Sequence, residues 1–399
     1  MATFFLVIIY LSFISLGLPD SLLGVSWPLL HLDINAPFEA AGLISMVVAG
    51  GTIVSSFVSG RVIKALGTGK IVFISCIMTA ASLLGISFAP SLIWLILLAI
   101  PLGLGAGSVD AALNNYVALH YKSYHMSWLH CFWGVGASIG PIIMSRFISK
   151  GQSWRSGYLT VSIIQFVLVV ILLSALPLWI KAERDSKNNE SGSEEAADST
   201  SVGQAAKKPL KIKGVKLALV SFLFYCGTES TMGLWGSSFL VNVKNISAAT
   251  AASWVSLYYT GITVGRFISG FLTLKMSNRM MIRTGQTIAL CGALLLLLPL
   301  PSIFSLFGFM LVGLGCAPIY PCMLHETPVR FGKENSQMLM GYQMSFAYTG
   351  STFLPPLLGV IASRTSISIM PFFVVFYIAT MLIGSETLNI YLYKLKSKV

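Results

Sequence analysis

Charged side chains are scarce in this chain. Asp, Glu, Lys and Arg make up 10% of its 399 residues, and only 14 residues are acidic. A soluble domain carries about 25% charged residues, so a fully water-exposed surface is excluded. Catalytic and metal-ligand spacings are missing too. The six cysteines (Cys76, Cys131, Cys226, Cys291, Cys316, Cys322) form no CxxC pair, and the apolar runs hold no HExxH and no paired nucleophile and base. No metal, no cofactor and no enzymatic centre is expected, and the thiols read as free, small apolar residues.

Apolar residues are plentiful instead: 55% are hydrophobic and the mean hydropathy is +0.80. Runs of about 20 apolar residues, each enough to cross the hydrocarbon core as a helix, recur near 3–30, 39–62, 70–89, 92–119, 128–148 and 157–180. Six more follow near 215–241, 250–273, 280–299, 303–324, 337–362 and 368–393. The expected fold is an all-α membrane protein of twelve transmembrane helices in two six-helix bundles, residues 1–180 and 214–399. Between them, residues 181–213 hold six of the fourteen acids and a run of lysines, a composition expected of a disordered cytoplasmic linker. The first run lacks a basic flank and is too long for a signal-peptide core, so it is expected to be retained.

A net charge of +12 in a soluble chain would suggest nucleic-acid binding. Here the basic residues follow the spans. With both termini cytoplasmic, roughly 20 Lys and Arg fall in inner loops and the tail against about five outside. This predicts a multi-pass protein of the cell membrane, solvated by lipid, with no nucleic-acid partner. The outer loop with Arg146, Lys150 and Arg155 departs from the rule.

The halves repeat. An offset of 210 residues aligns Val54, Phe57, Ser59 and Gly60 with Val264, Phe267, Ser269 and Gly270, and Gly103-Leu104-Gly105 with Gly313-Leu314-Gly315. One residue less brings Asp20, Ser21 and Gly24 opposite Glu229, Ser230 and Gly233. Such duplication is a mark of transporters.

Three acids, Asp20, Asp110 and Glu229, stand deep inside apolar runs. A charge at that depth costs several kcal/mol and is retained where it faces a cavity and handles ions or substrate. All three are proton-coupling candidates. Asp110 is the first choice, because Asn114 follows it at i+4 on one helix face and its counterpart in the second half is Tyr320. Asp20 follows Pro19, which loosens the helix. Arg266, also inside a run, is expected to snorkel to the cytoplasmic face or to pair with an acid. Glu326 and Glu386 read as latch or surface residues.

Gly103-Leu104-Gly105-Ala106-Gly107 leading to Asp110 and Asn114, with Gly313-Leu314-Gly315-Cys316-Ala317-Pro318-Ile319-Tyr320-Pro321, resembles spans four and ten of the fucose:proton symporters and related glucose transporters of the major facilitator superfamily. The resemblance implies a cavity lined by spans one, four, seven and ten. It puts Asp110 in place of a span-four glutamate, Asn114 in place of a sugar-binding asparagine and His130 in place of a polar span-five residue. Two departures stand out. Gly24 occupies the place of the symporters' span-one acid, with Asp20 one turn earlier, and in the loop after span two Lys64 replaces the superfamily's acid and Gly69 one of its bases.

Sugars are gripped by amides and hydroxyls plus an aromatic face. The solute-binding candidates are Asn114, Asn115, His130, Trp133, Trp235, Tyr320 and Gln343, with Gln165, Trp27, Tyr258 and Tyr259 as further groups of the right chemistry. The function expected is proton-coupled symport of a sugar or sugar-like solute by alternating access in a monomer, with sodium in place of the proton left open. The runner-up is a proton-coupled antiporter that exports drugs or other amphipathic compounds. Gly136-Ala137-Ser138-Ile139-Gly140-Pro141 half matches the pattern of such exporters, although Met144 and Ser145 replace its closing glycines.

Overall fold

The computed structural model describes residues 2–121, 123–190, 212–273 and 275–396. Among them are fourteen α-helices: α1 Ala2–Asp20, α2 Leu22–Asp33, α3 Ala40–Leu66, α4 Thr68–Ser87, α5 Leu92–His120, α6 Ser123–Ser149, α7 Trp154–Glu190, α8 Val215–Asn242, α9 Ala248–Leu272, α10 Asn278–Leu297, α11 Ser302–Cys316, α12 Ile319–Phe331, α13 Lys333–Arg364 and α14 Met370–Lys396. Two pairs are single spans broken at mid-depth, α1 with α2 and α11 with α12. The first break follows Pro19 and is fixed by Ser21, whose hydroxyl donates to Ala137 O of α6 at 3.0 Å. The second falls at Ala317 and Pro318.

Helix α7 runs on to Glu190, ten residues into the expected linker. The order or disorder of 191–211 lies outside the described residues. Among the described residues, ten helical units are long and apolar enough to cross a bilayer; α9 and α13 are not among them. Both pack across the molecule, α9 on α6 and α13 on α3. A helix buried against protein can carry the Ser, Tyr and Gly that lipid would penalise.

The repeat is built into the packing. A Cβ at Gly103 would lie 2.1 Å from Val48 O, and one at Gly313 would lie 2.1 Å from Tyr258 O; each pair is separated by the same 210-residue offset. Likewise Gly105 presses on Ser75 O and Gly315 on Gly285 O. These positions have to be glycine because backbone meets backbone there, which is why the motif survives in both halves. Gly24 of α2 and its counterpart Gly233 of α8 touch each other: a Cβ on Gly24 would lie 2.1 Å from Gly233 O. Contact between equivalent residues places the pseudo-twofold axis at this crossing.

Contacts between the halves gather on the side away from the termini. Ser145 Oγ and Ser253 Oγ are 2.7 Å apart, Ser256 Oγ donates to Ser138 O at 2.7 Å, Gly42 abuts Pro356, and Phe38 packs on Trp235. One hydrophobic core joins both halves there. Toward the termini it divides into two clusters, one holding Phe5, Ile9, Val117 and Trp179 of the first half, the other Val215, Leu219, Phe331 and Leu388 of the second. The halves are closed on the distal side and parted on the termini side.

Arg155, one of the three basic residues in the loop expected to depart from the charge rule, is neutralised. Its Nη2 lies 2.9 Å from Asp33 Oδ2, and its Nη1 donates to Ala89 O.

Candidate functional site

The three deep acids come from three helices and face one space. Asp20 ends α1 at the mid-span break, where its side chain is exposed despite its depth. It lies within electrostatic reach of both Asp110 and Glu229. An exposed carboxylate at mid-membrane, ringed by helices of both halves, marks a polar cavity between them.

Asp110, half-buried on α5, is held by Asn114, whose Nδ2 donates to its Oδ1 at 2.8 Å and to its backbone O at 2.9 Å. The i+4 spacing read from the sequence thus makes a hydrogen-bonded pair. Across the space stand Tyr320 of α12 and Tyr348 of α13, both close enough to feel the Asp110 charge. The Tyr320 hydroxyl points to Met344 Sδ at 2.8 Å, and its ring packs on Phe222 and Tyr225.

Glu229, central in α8, lies with Oε1 3.6 Å from Arg266 Nη2 of α9; the two side chains are 18% and 16% exposed. Arg266 does not snorkel to the termini-side surface, because the acid and an aromatic ring hold it inside. Its guanidinium sits over the Trp133 ring with Cζ 5.5 Å from the centroid. Trp133 of α6 in turn donates its Nε1–H to Asp20 Oδ2 at 2.7 Å. Asp20, Trp133, Arg266 and Glu229 therefore form one chain of contacts from half to half.

His130, three residues before Trp133, is exposed and stands edge-on to Phe13. Asn115 is exposed beside Asn114. Other candidates turn away. Gln343 is 2% exposed, accepts from Thr327 Oγ1 at 3.0 Å and lines a small pocket inside the second half with Arg330 and Ser385. Trp235 is fully buried on the closed side, with Nε1 donating to Pro355 O. Gln165 is buried, donating to Ser15 O, and Trp27 is buried with its Nε1 on Phe38 O. Tyr258 donates to Glu229 O, and Tyr259 stands edge-on to Trp133. Tyr348 was missed because a tyrosine in a Gly- and Ser-rich span leaves no local signal. Among the described residues, no three of His, Cys, Asp and Glu gather as metal ligands.

Two six-helix repeats about one axis, parted on one side around mid-span acids, are the architecture of a known family, and its profile covers nearly the whole chain: the Major Facilitator Superfamily matches residues 9–228 and 217–397. The chain belongs to the Major Facilitator Superfamily. It is a membrane transporter of a small-molecule solute, not an enzyme.

Among relatives, it is 22% identical over 387 residues to Bypass of stop codon protein 6 of Saccharomyces cerevisiae, spanning 90% of this chain and 77% of that protein. It is 23% identical over 265 residues to the glucose/mannose transporter GlcP of Bacillus subtilis, spanning 65% of this chain and 63% of that protein. Among solved structures, an inward-facing, unoccupied bacterial homologue of the human lysosomal transporter Spinster superposes with a TM-score of 0.70 at 13% identity, covering 97% of each chain. The nucleoside transporter NupG superposes with a TM-score of 0.71 at 12% identity, covering 96% of this chain and 98% of that one.

Proposed function

We propose that the chain couples proton movement to the uptake of a sugar or sugar-like solute by alternating access of its two halves, as a monomer in the cell membrane with both termini cytoplasmic. The observation that carries this reading is the convergence of Asp20, Asp110 and Glu229 on one space between the halves. An acid there is reached from one side at a time as the halves rock, so a proton taken on one face is released on the other. Asp110 is the coupling group. Its partner Asn114 and the facing Tyr320 and Tyr348 supply the amide, hydroxyls and aromatic faces suited to a polyol. His130 and Asn115 extend the polar lining, and the similarity to a glucose/mannose transporter supports the solute class.

The test is uptake in proteoliposomes under an imposed inward proton gradient, across hexoses, deoxyhexoses and disaccharides. Gradient-driven accumulation of one of them is expected. Absence of accumulation, combined with growth protection against toxic amphipathic cations, would replace symport with export. The Gly136–Pro141 stretch does not favour export, because a Cβ on Gly136 would lie 2.0 Å from Ile14 O and one on Gly140 would lie 2.5 Å from Leu18 O. Close packing of α6 on α1 accounts for these glycines.

A further inference from the structure

We infer that Trp133 is the positioning residue that links the acid of the first half to the closed seam: its N–H reads Asp20 and its ring face holds Arg266 of the second half.

The seam of α6 on α9 runs from Ser145 and Ser253 at the distal end, through Ser138 and Ser256, to Gly134, where an added Cβ would lie 2.2 Å from Thr263 Oγ1. Trp133 is the next residue, at the boundary between the closed seam and the open cavity. Its backbone is wedged as well, since a Cβ on Gly17 would lie 2.0 Å from Trp133 O. The indole therefore has little freedom except about its own side-chain bonds, and two contacts set it: the 2.7 Å bond to Asp20 and the Arg266 cation over its face.

The two contacts reinforce each other. An indole N–H given to a carboxylate pushes electron density into the ring, and a richer ring attracts a cation more strongly. Neutralising or removing Asp20 weakens the hold on Arg266 without any direct contact between acid and cation. Arg266 is then left to Glu229 within its own half, and the seam loses its innermost tie. The state of the first half's acid is thereby transmitted to the interface that must open for the opposite-facing state to form.

The role rests on the alternating-access reading, and its test needs neither solute nor gradient, so its outcome is separate from the sugar and proton assignments. Cysteines placed by Ser145→Cys and Ser253→Cys at the distal end of the seam report closure through their rate of disulfide formation under mild oxidant, with each single-cysteine chain as control. In that background Asp20→Asn and Trp133→Phe, which keeps the ring but not the N–H, are each expected to slow cross-linking about tenfold, on the order of one charge-assisted hydrogen bond. The double variant is expected to be no slower than either single, because both remove the same link. A purely structural role would give additive effects. Additivity, or an unchanged rate in Trp133→Phe, overturns the proposal. Should Trp133→Phe fail to reach the membrane folded, Arg266→Gln replaces it: in that chain Asp20→Asn is expected to have no further effect, and a full tenfold effect overturns the link.

Discussion

Three carboxylates at similar depth differ in what touches them, and the difference sets what each substitution should do. Asp110 is hydrogen-bonded by Asn114, whose amide nitrogen donates to both its carboxylate and its backbone oxygen; Asn114 therefore offers a solute chiefly its carbonyl oxygen. Asp110→Asn keeps the shape and removes the proton-accepting charge. The expected result is loss of gradient-driven accumulation by more than about tenfold with solute exchange retained, the signature of a coupling group rather than a binding group. Retained accumulation would move the coupling to Asp20. Glu229 has a cation instead. Arg266→Gln leaves Glu229 without its partner at mid-membrane and should cost about 2 kcal/mol of stability, read as a lowered melting temperature in detergent; adding Glu229→Gln should restore most of it, because a charge pair is better removed whole than halved.

At the scale of helices, identical clashes should have opposite consequences depending on where they lie. A Cβ on Gly103 and a Cβ on Gly24 would each come within 2.1 Å of a carbonyl oxygen. The first clash is inside one half, α5 on α3, and no rigid-body motion relieves it, so Gly103→Val should abolish expression of folded protein. The second lies between the halves, α2 on α8, and parting them relieves it. Gly24→Val should therefore fold, and it should hold the distal side open, measured as labelling of Ser145→Cys from the distal side rising several-fold over that of the otherwise unchanged chain. The same contacts explain what was legible beforehand. The 210-residue repeat could be read because backbone-to-backbone packing tolerates only glycine, and it wrote the same letters twice. The Asp110–Asn114 pair could be read because i+4 is a fixed neighbour on a helix. Trp133 with Asp20 and Tyr348 opposite Asp110 join residues more than a hundred positions apart, and nothing in spacing encodes which helix faces which. Gln343 and Trp235 illustrate the limit: chemistry suited to a solute is equally suited to holding helices together, and in this structure both are buried with helix partners, Thr327 and Pro355.

The whole molecule is symmetric in backbone and unequal in charge. In the second half Glu326 is 7% exposed and lies against Arg330 and Arg279, while Glu386 pairs with Arg283, clamping the termini-side ends of α10, α12 and α14. By the 210-residue offset the first half has Tyr116 and His120 where Glu326 and Arg330 stand, so this acid–base pair is not repeated in its sequence. Each half nevertheless closes its own repeat, and they meet through α2 with α8, α3 with α13 and α6 with α9. These contacts bury backbone against backbone and include the Ser145–Ser253 and Ser138–Ser256 bonds, so association should not depend on a covalent tie. Co-expression of residues 1–190 and 212–399 as separate chains is accordingly expected to yield a complex that co-purifies and accumulates solute. The first-half fragment alone, without a counterpart of the Glu326–Arg330 pair, should be the less stable of the two and more readily proteolysed. If the fragments are each stable yet do not associate, the closed seam is too weak to hold the halves and the segment between them must supply the difference. If neither is stable alone but the pair is, the halves fold on each other, and the shared distal core, which joins Leu22, Trp27 and Ile44 to Trp235, Phe239 and Tyr258, is the reason.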